Sequence, residues 1–374
     1  MNKCTLGLCM IVKNEEEVIG RCLESVKGLF DEIVIVDTGS TDKTKEIVRK
    51  YTDKIYDFEW IYDFSAARNF SFSKSTCDYI MWLDADDVIY PAELKKLKEF
   101  KPKIDPDIEA YRMYYSYIQD QDDNPILQQQ RVRIIKNRHK KVWEGKIHEV
   151  IIMDKVVPTL DIYVHHKKEK ILDPNRNVDI YNRMYDNNEY FSTRDLFMYS
   201  LELSGHKQYE KSLEMIKKMF QRKKDYIPQR FYYDQAIQVK INIYKEQKKS
   251  NKEIKKAIFQ YLSDFVPSPG VCCELGGVYV NEKNYDLAIF WYKNALKEAK
   301  THPEDKVEYN EFLPCFSIAY CYYSIGDYKK ACYYSTKSLR ISPTNETAIH
   351  NHEAYEIAYN NYKEQVRQWK EDMS

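Results

Sequence analysis

Glu32-Ile33-Val34-Ile35-Val36-Asp37-Thr38-Gly39-Ser40-Thr41-Asp42 is the stretch that decides the fold. Ile33 to Val36 is an unbroken β-branched run, the composition of a strand packed inside a sheet. Asp37 closes that strand, Gly39 supplies a tight turn, and Ser40 or Thr41 caps a helix carrying Ile47 and Val48. Strand, short polar turn and helix form the repeating unit of parallel α/β sheets, whose ligands bind at the carboxyl ends of the strands.

The same alternation continues outward on both sides. Leu6 to Val12 reads as a buried strand, and Glu15 to Lys27 as a helix with Val18, Cys22, Leu23 and Val26 on one face. Lys54 to Phe58 is a short strand, Phe64 to Lys74 a helix, Tyr79 to Leu83 a strand, and Pro91 opens a helix carrying Leu94 and Leu97. Beyond Glu109 the pattern turns strand-rich, at Ala110 to Ile118, Arg131 to Ile135, Val142 to Val150 and Leu160 to Val164. These pieces are expected to close the far side of the sheet with antiparallel pairs.

From about Tyr181 the grammar becomes purely helical. Leu275-Gly276-x-x-Tyr279 continues to Ala288, Tyr292 and Ala295, and Ile318-Ala319-x-x-Tyr322 continues to Ala331 and Pro343. Gly276 to Ala319 and Ala288 to Ala331 are both offsets of 43 residues. That exceeds the tetratricopeptide period of about 34, so an insertion is expected near His302 to Phe312. A weaker copy runs from Leu196 through Tyr209 and Ser212 to Met219. Small residues recur where the two helices of one unit cross closely. The expected division is therefore residues 1–172 as an α/β domain, 173–190 as a linker around Pro174, and 191–374 as an all-α helical-repeat domain.

The 374 residues hold 58 basic and 58 acidic side chains, so no overall positive field points to nucleic acid or to an anionic membrane. Lys167-Lys168-Glu169-Lys170 reads as a solvated face. Nine cysteines lack CxxC or bridge-like spacing, which suits reduced thiols in the cytoplasm. No apolar run approaches the roughly 20 residues that span a bilayer. Thr5 to Val12 runs into Lys13-Asn14-Glu15-Glu16-Glu17 without a small-x-small cleavage site, so it is not read as a secretory leader.

Four segments carry chemistry. Asp37, at a strand end, can accept hydrogen bonds from a ribose or a base. Trp82-Leu83-Asp84-Ala85-Asp86-Asp87 sets three carboxylates directly after an apolar strand, where Asp-x-Asp spacing can hold Mg²⁺ or Mn²⁺ with a diphosphate. Asp63-Phe64-Ser65-Ala66-Ala67-Arg68-Asn69 offers in Arg68 a permanently charged donor fork, for a phosphate or simply for Asp63. Trp143-Glu144-Gly145-Lys146-Ile147-His148-Glu149 pairs an imidazole with a carboxylate, able to supply a general base and a metal or acceptor contact. His165 and His166 could bring a late imidazole to the same cation. No GxGxxG and no GxxxxGK[ST] occurs, which counts against a dinucleotide-binding domain and a P-loop. A nucleotidyltransferase would open with a Gly-rich loop where Lys13-Asn14-Glu15-Glu16 stands.

Together with Cys9-Met10-Ile11-Val12-Lys13-Asn14-Glu15, these segments resemble the family 2 glycosyltransferases of the GT-A fold over roughly the first 170 residues. The Trp143 to Glu149 tail and the appended tetratricopeptide-like repeats narrow the likeness to the branch that includes the sublancin-type S-glycosyltransferases, which glycosylate a cysteine of a bacteriocin peptide. The resemblance implies a mostly parallel sheet sandwiched by helices. It also implies a metal-dependent, inverting transfer from a UDP-sugar to an acceptor, such as a peptide Ser, Thr or Cys side chain. It assigns donor contacts to Val12, Asn14, Glu15, Asp37, Arg68, Asp84 and Ala85, metal ligation to Asp86 and His165, and catalysis to Glu149, with Asp87, Trp143 and His148 beside them. His148-Glu149 replaces the family's usual Glu-Asp pair, so whether Glu149 or a neighbour is the base stays open. The repeats are expected to dock a polypeptide acceptor or a second copy of the chain. Two other readings are transfer to a cell-surface polysaccharide, and an interaction scaffold with a silent N-terminal domain.

Overall fold

Leu6–Val12 forms the central strand β1, and both of its faces are apolar because both are covered. In this computed structural model, which describes residues 4–119, 125–138, 141–153, 157–167, 173–301 and 308–373, the chain folds as two compact units, Met1–Glu189 and Tyr190–Ser374.

In the first unit β1 is followed by α1 (Ile19–Ser25), β2 (Glu32–Asp37), α2 (Thr44–Val48), β3 (Ile55–Asp57), α3 (Phe64–Lys74), β4 (Tyr79–Trp82), β5 (Asp87–Val88) and α4 (Pro91–Phe100). Then come β6 (Ala110–Gln119), β7 (Pro125–Lys136), β8 (Trp143–Glu144), β9 (Val150–Ile151), β10 (Thr159–His166) and α5 (Arg176–Asp186). An eight-stranded sheet runs β3-β2-β1-β4-β7-β6-β10-β5, with β8 and β9 pairing apart from it. β3, β2, β1 and β4 are mutually parallel, β7 runs antiparallel between β4 and β6, and β10 is parallel to β6. This is the mostly parallel, helix-covered sheet expected from the alternation. Leu6, Leu8, Met10 and Val12 of β1 pack with α1, α2 and α4 on one face, whereas Cys9 packs with Phe72 of α3 on the other. The register sets Val12 beside Asp37 and Cys9 beside Trp82, so β1 and β2 end side by side and the parallel β4 ends three residues short of them at the same carboxyl edge.

Several local expectations are corrected. Ser40 and Thr41 do not cap α2; they bond to Asn14, and Asp42 Oδ1 instead accepts from Thr44 N at 3.0 Å. Val142 to Val150 is not one strand, because Gly145 (φ +92°) and His148 (φ +53°) break it into the short pair β8–β9. The stretch expected as a linker, 173–190, carries α5, whose Val178, Ile180, Tyr181 and Met184 are buried, and all of it up to Glu189 belongs to the first unit. Residues 168–170 of the lysine-rich run and the 170–172 boundary lie outside the described residues.

The second unit is a series of helices: α6 (Thr193–Gly205), α7 (Tyr209–Phe220), α8 (Tyr226–Glu246), α9 (Asn251–Leu262), α10 (Pro269–Asn281), α11 (Tyr285–Glu298), α12 (Leu313–Ser324), α13 (Tyr328–Ile341) and α14 (Glu346–Asp372). Ser192 and Ser250 open α6 and α9 with reciprocal capping boxes. The two clearest repeat copies are the helix pairs α10–α11 and α12–α13, which share one apolar cluster. Gly276 is required there, because a Cβ would lie 2.7 Å from Cε1 and Cζ of Tyr292. In the weaker copy Ser212 takes the small-residue position, and its Oγ donates to Ser200 O at 2.7 Å across the α6–α7 crossing. Of the expected insertion, residues 302–307 lie outside the described residues, and Glu308–Phe312 forms one wide π-helical turn.

Candidate active site

Asp63 starts α3 by accepting from Ala66 N at 2.8 Å, which fixes where the first turn points. About one turn further on, Arg68 is buried with its guanidinium against the rings of both Trp82 and Trp143, 4.9 and 4.8 Å from their centroids. Its Nε donates to Glu149 Oε1 at 2.6 Å and its NH2 to Asp84 Oδ1 at 2.8 Å. Burial alone would favour loss of the proton, but the two carboxylates outweigh it and keep the guanidinium charged. Burial also pushes the Asp84 carboxyl up, yet Arg68 and then Arg133 outweigh it and hold it at about 2. Asn69, the next residue, ties the Val142–Trp143 segment to α3: its Nδ2 donates to Trp143 O at 2.9 Å, and its Oδ1 accepts from Val142 N at 2.9 Å and Trp143 N at 3.1 Å. Trp143 is a buried wall, packed edge-on against Trp82 and Phe72.

The acidic turn after β4 is closed from within. Asp87 N donates to Asp84 O at 3.0 Å, and Asp87 Oδ2 accepts from Asp84 N at 3.0 Å. Asp87 is fully buried and paired with Arg133 at 3.0 Å. Asp86 Oδ1 lies 3.4 Å from His166 Nδ1, and Asp87 Oδ1 lies 3.8 Å from the same atom. Asp86, Asp87 and His166 can each offer a ligand atom within 4.8 Å of the others. The neighbouring Asp86 and Asp87 carboxylates push the His166 imidazole up to about 9. A divalent cation at this point would take over the role of that proton, and carboxylate oxygens with one imidazole suit Mn²⁺ or Mg²⁺. The imidazole that arrives is His166 and not His165. Adjacent strand residues face opposite ways, so His165 turns inward and stacks on Tyr90 at 4.2 Å.

At the neighbouring edge Asp37 is buried, and its Oδ1 accepts from Gly39 N and Ser40 N, both at 2.9 Å. Its Oδ2 is buried without a hydrogen-bond partner among the described residues. Lys45 Nζ stands 3.6 Å from Oδ1. Val12 O accepts from Thr38 N and Oγ1, Asn14 holds φ at +54°, and Glu15 N donates to Thr44 Oγ1 at 2.7 Å. Ala85 is buried within the acidic turn. These groups line the edge where β1, β2 and β4 end. Residues 8–154 match the family described as Glycosyl transferase family 2.

The N-terminal unit holds a family 2 glycosyl transferase domain. Residues 270–360 match a second family, described as the prolyl 4-hydroxylase peptide-substrate-binding domain, with a tetratricopeptide-like fold. A TPR repeat-containing protein of Synechococcus elongatus is 32% identical over 147 residues, 39% of this chain and 35% of that protein. The prophage-derived glycosyltransferase SunS of Bacillus subtilis is 40% identical over 93 residues, 24% of this chain and 22% of its own length. The chain thus spans about a third or less of each of these two relatives. A crystal structure of glucosyl-3-phosphoglycerate synthase from Mycobacterium tuberculosis with Mn²⁺ and UDP-glucose aligns at 19% identity and a TM-score of 0.26, over 30% of this chain and 44% of that one.

Within the glycosyl transferase domain, the expected Arg68, Asp84 and Glu149 come together as one ion-paired group, and Asp86 stands beside them in the acidic turn. His148 does not join it. Its backbone is left-handed and its ring stacks against Tyr181 of α5, 6.4 Å between centroids. The sequence reading missed Arg133 and Tyr115, whose hydroxyl lies 2.9 Å from His166 Nδ1, and it gave the late imidazole to His165 instead of His166. The available signal for Arg133 was a charge inside the otherwise strand-like run Arg131 to Ile135.

Proposed function

We infer that this protein transfers a sugar from a UDP-sugar to a nucleophilic acceptor, in a single inverting displacement at the site built around Arg68. The observation that carries this reading is the bridge from Asp84 through Arg68 to Glu149, beside the Asp86–His166 pair. Asp86 and His166 would hold the divalent cation, which supplies charge neutralisation at the departing diphosphate. Asp37 would accept from the uridine part, with Val12, Asn14, Glu15 and Ala85 shaping the donor edge.

Glu149 Oε1 is engaged by Arg68, whereas Oε2 has no protein partner among the described residues. That oxygen would take the proton of an incoming hydroxyl, or orient an incoming thiolate, as the acceptor atom bonds to the anomeric carbon and the bond to the β-phosphate oxygen breaks. One displacement inverts the anomeric configuration and leaves no covalent sugar on the protein. Arg68 cannot itself serve as the acid, because its two carboxylates keep it charged.

A polypeptide is the acceptor favoured here. Residues 270–360 match a domain described as binding a peptide substrate, and stacked helix pairs present an extended surface suited to a chain. The same surface could instead seat a second copy of the protein. Nine free thiols support a reducing compartment such as the cytoplasm, and among the described residues no helix is long and apolar enough to cross a membrane. The test is a panel of UDP-sugars with Mn²⁺, scored by UDP release and by NMR of the sugar product. Release with inverted anomeric configuration supports the reading. Retained configuration, or release from no UDP-sugar, would overturn it.

A further inference from the structure

Arg133 has no exposed surface, although charged side chains are almost never fully buried unless paired. It belongs to β7, where Ile134 pairs with Tyr111 and Val132 with Arg112, so Arg133 is the extra residue at a break in the β6–β7 register. Such bulges re-aim one side chain. Here the side chain passes between the rings of Trp82 and Tyr115, its guanidinium carbon 3.9 and 4.4 Å from their centroids. Its NH1 donates to Asp87 Oδ2 at 3.0 Å and to Trp82 O at 3.2 Å. Its Nε and NH2 are buried and make no hydrogen bond among the described residues.

A buried guanidinium with two unsatisfied donors is a poor device for stability, since an apolar pair of similar volume would avoid the desolvation cost. What it holds is informative. Asp87 Oδ2 also accepts from Asp84 N, so Arg133 is the far end of a chain of contacts running through Asp87, Asp84 and Arg68 to Glu149. We propose that Arg133 is a positioning residue for the acidic turn: it keeps Asp87 as the turn's internal anchor, so that Asp86 presents its carboxylate beside His166 to the divalent cation. The inference rests on the metal-dependent reading above. Lysine is a poorer fit, because its compact point charge has no planar face to lie between two rings.

The test titrates Mn²⁺ into wild-type protein, Arg133→Lys, Arg133→Met and Ile134→Ala without donor, reading free Mn²⁺ by electron paramagnetic resonance. Melting of each in EDTA reports stability separately. Ile134 is the neighbouring fully buried residue, packed in the apolar core, and Ile134→Ala supplies a destabilised control. Loss of a residue that orients metal ligands typically lowers metal affinity about 10–100-fold, and Arg133→Met is expected to fall in that range, with Arg133→Lys also weakened. Ile134→Ala should keep its Mn²⁺ affinity within about 2-fold at an equal or larger loss of melting temperature, because no metal ligand hangs from it. Should Arg133→Met fail to fold, Arg133→Lys carries the same comparison. Wild-type affinity in the Arg133 variants, or losses that merely track melting temperature as in Ile134→Ala, would overturn the proposal. Wild-type protein that binds no Mn²⁺ would overturn the metal reading itself, and this inference with it.

Discussion

Glu149→Gln separates chemistry from structure at this site. The substitution removes one negative charge and keeps the shape, and the amide oxygen can still accept from Arg68 Nε, now 2.6 Å from Oε1. Arg68 keeps its second counter-ion, Asp84, at 2.8 Å. The structural loss is therefore an ion pair reduced to a hydrogen bond from the still-charged guanidinium to a neutral oxygen, about 1 kcal/mol. For a unit of this size that lowers the melting temperature by roughly 2–4 °C. If Glu149 takes the acceptor's proton, turnover should fall about 10²–10⁴-fold, equivalent to about 3–5 kcal/mol in the barrier. The kinetic loss thus exceeds the structural one several-fold. Hydrolysis of the UDP-sugar with water as acceptor provides the assay, with donor affinity measured in parallel by calorimetry. Turnover within about 3-fold of wild type would refute the assignment. A loss of donor affinity as large as the loss of rate would make Glu149 part of the nucleotide pocket, with Arg68 as the group it was holding.

Two further outcomes test the fold. Burial pushes the Glu32 carboxyl up, but bonds from Lys54, Ser75 and Thr76 outweigh it and hold it at about 2, against an ordinary 4.5. Its folded value is depressed, so its contribution, on the order of 3 kcal/mol, is complete above about pH 4.5 and lost as pH falls towards 2; acid unfolding of Glu32→Gln should show a flatter limb in that window, and an unchanged limb contradicts the assignment. Gly276→Ala places a methyl group 2.7 Å from the Tyr292 ring and should destabilise the repeat unit by about 1–3 kcal/mol, seen as a lower melting temperature of the full chain; an unchanged temperature would mean that the α10–α11 crossing is looser than described.

The sheet was legible because its strands are apolar runs bounded by polar turns. Leu6–Val12 and Phe64–Lys74 end where periodicity and the Asp63 cap end. Arg68, Asp84 and Glu149 were legible as chemistry, but their mutual contacts were not, since residues 81 positions apart meet only through the path of the sheet. His165 and His166 could not be told apart from composition; the pleat of β10 separates them, and its phase depends on pairing with Val88 and Asp87 of β5, a two-residue strand too short to read. Arg133 was hidden for a related reason, because a bulge has no sequence signature when no glycine marks it. Helix α5 was masked by Pro174 and the polar Asn175 to Asn177, which read as a linker although Ile180, Tyr181 and Met184 repeat at helical spacing.

The most direct test of the account is Mn²⁺-dependent release of UDP from the preferred UDP-sugar by the full chain, measured for wild type, for wild type in EDTA and for Asp86→Ala. Asp86 faces His166 at 3.4 Å, and Asp87, the nearest other carboxylate, already has Oδ2 committed to Arg133 and to Asp84 N. The account predicts release by wild type with Mn²⁺, loss of that release in EDTA with recovery on adding Mn²⁺, and no recovery by Asp86→Ala at any Mn²⁺ concentration tried. Near-normal release by Asp86→Ala, or a wild-type rate indifferent to EDTA, would contradict it.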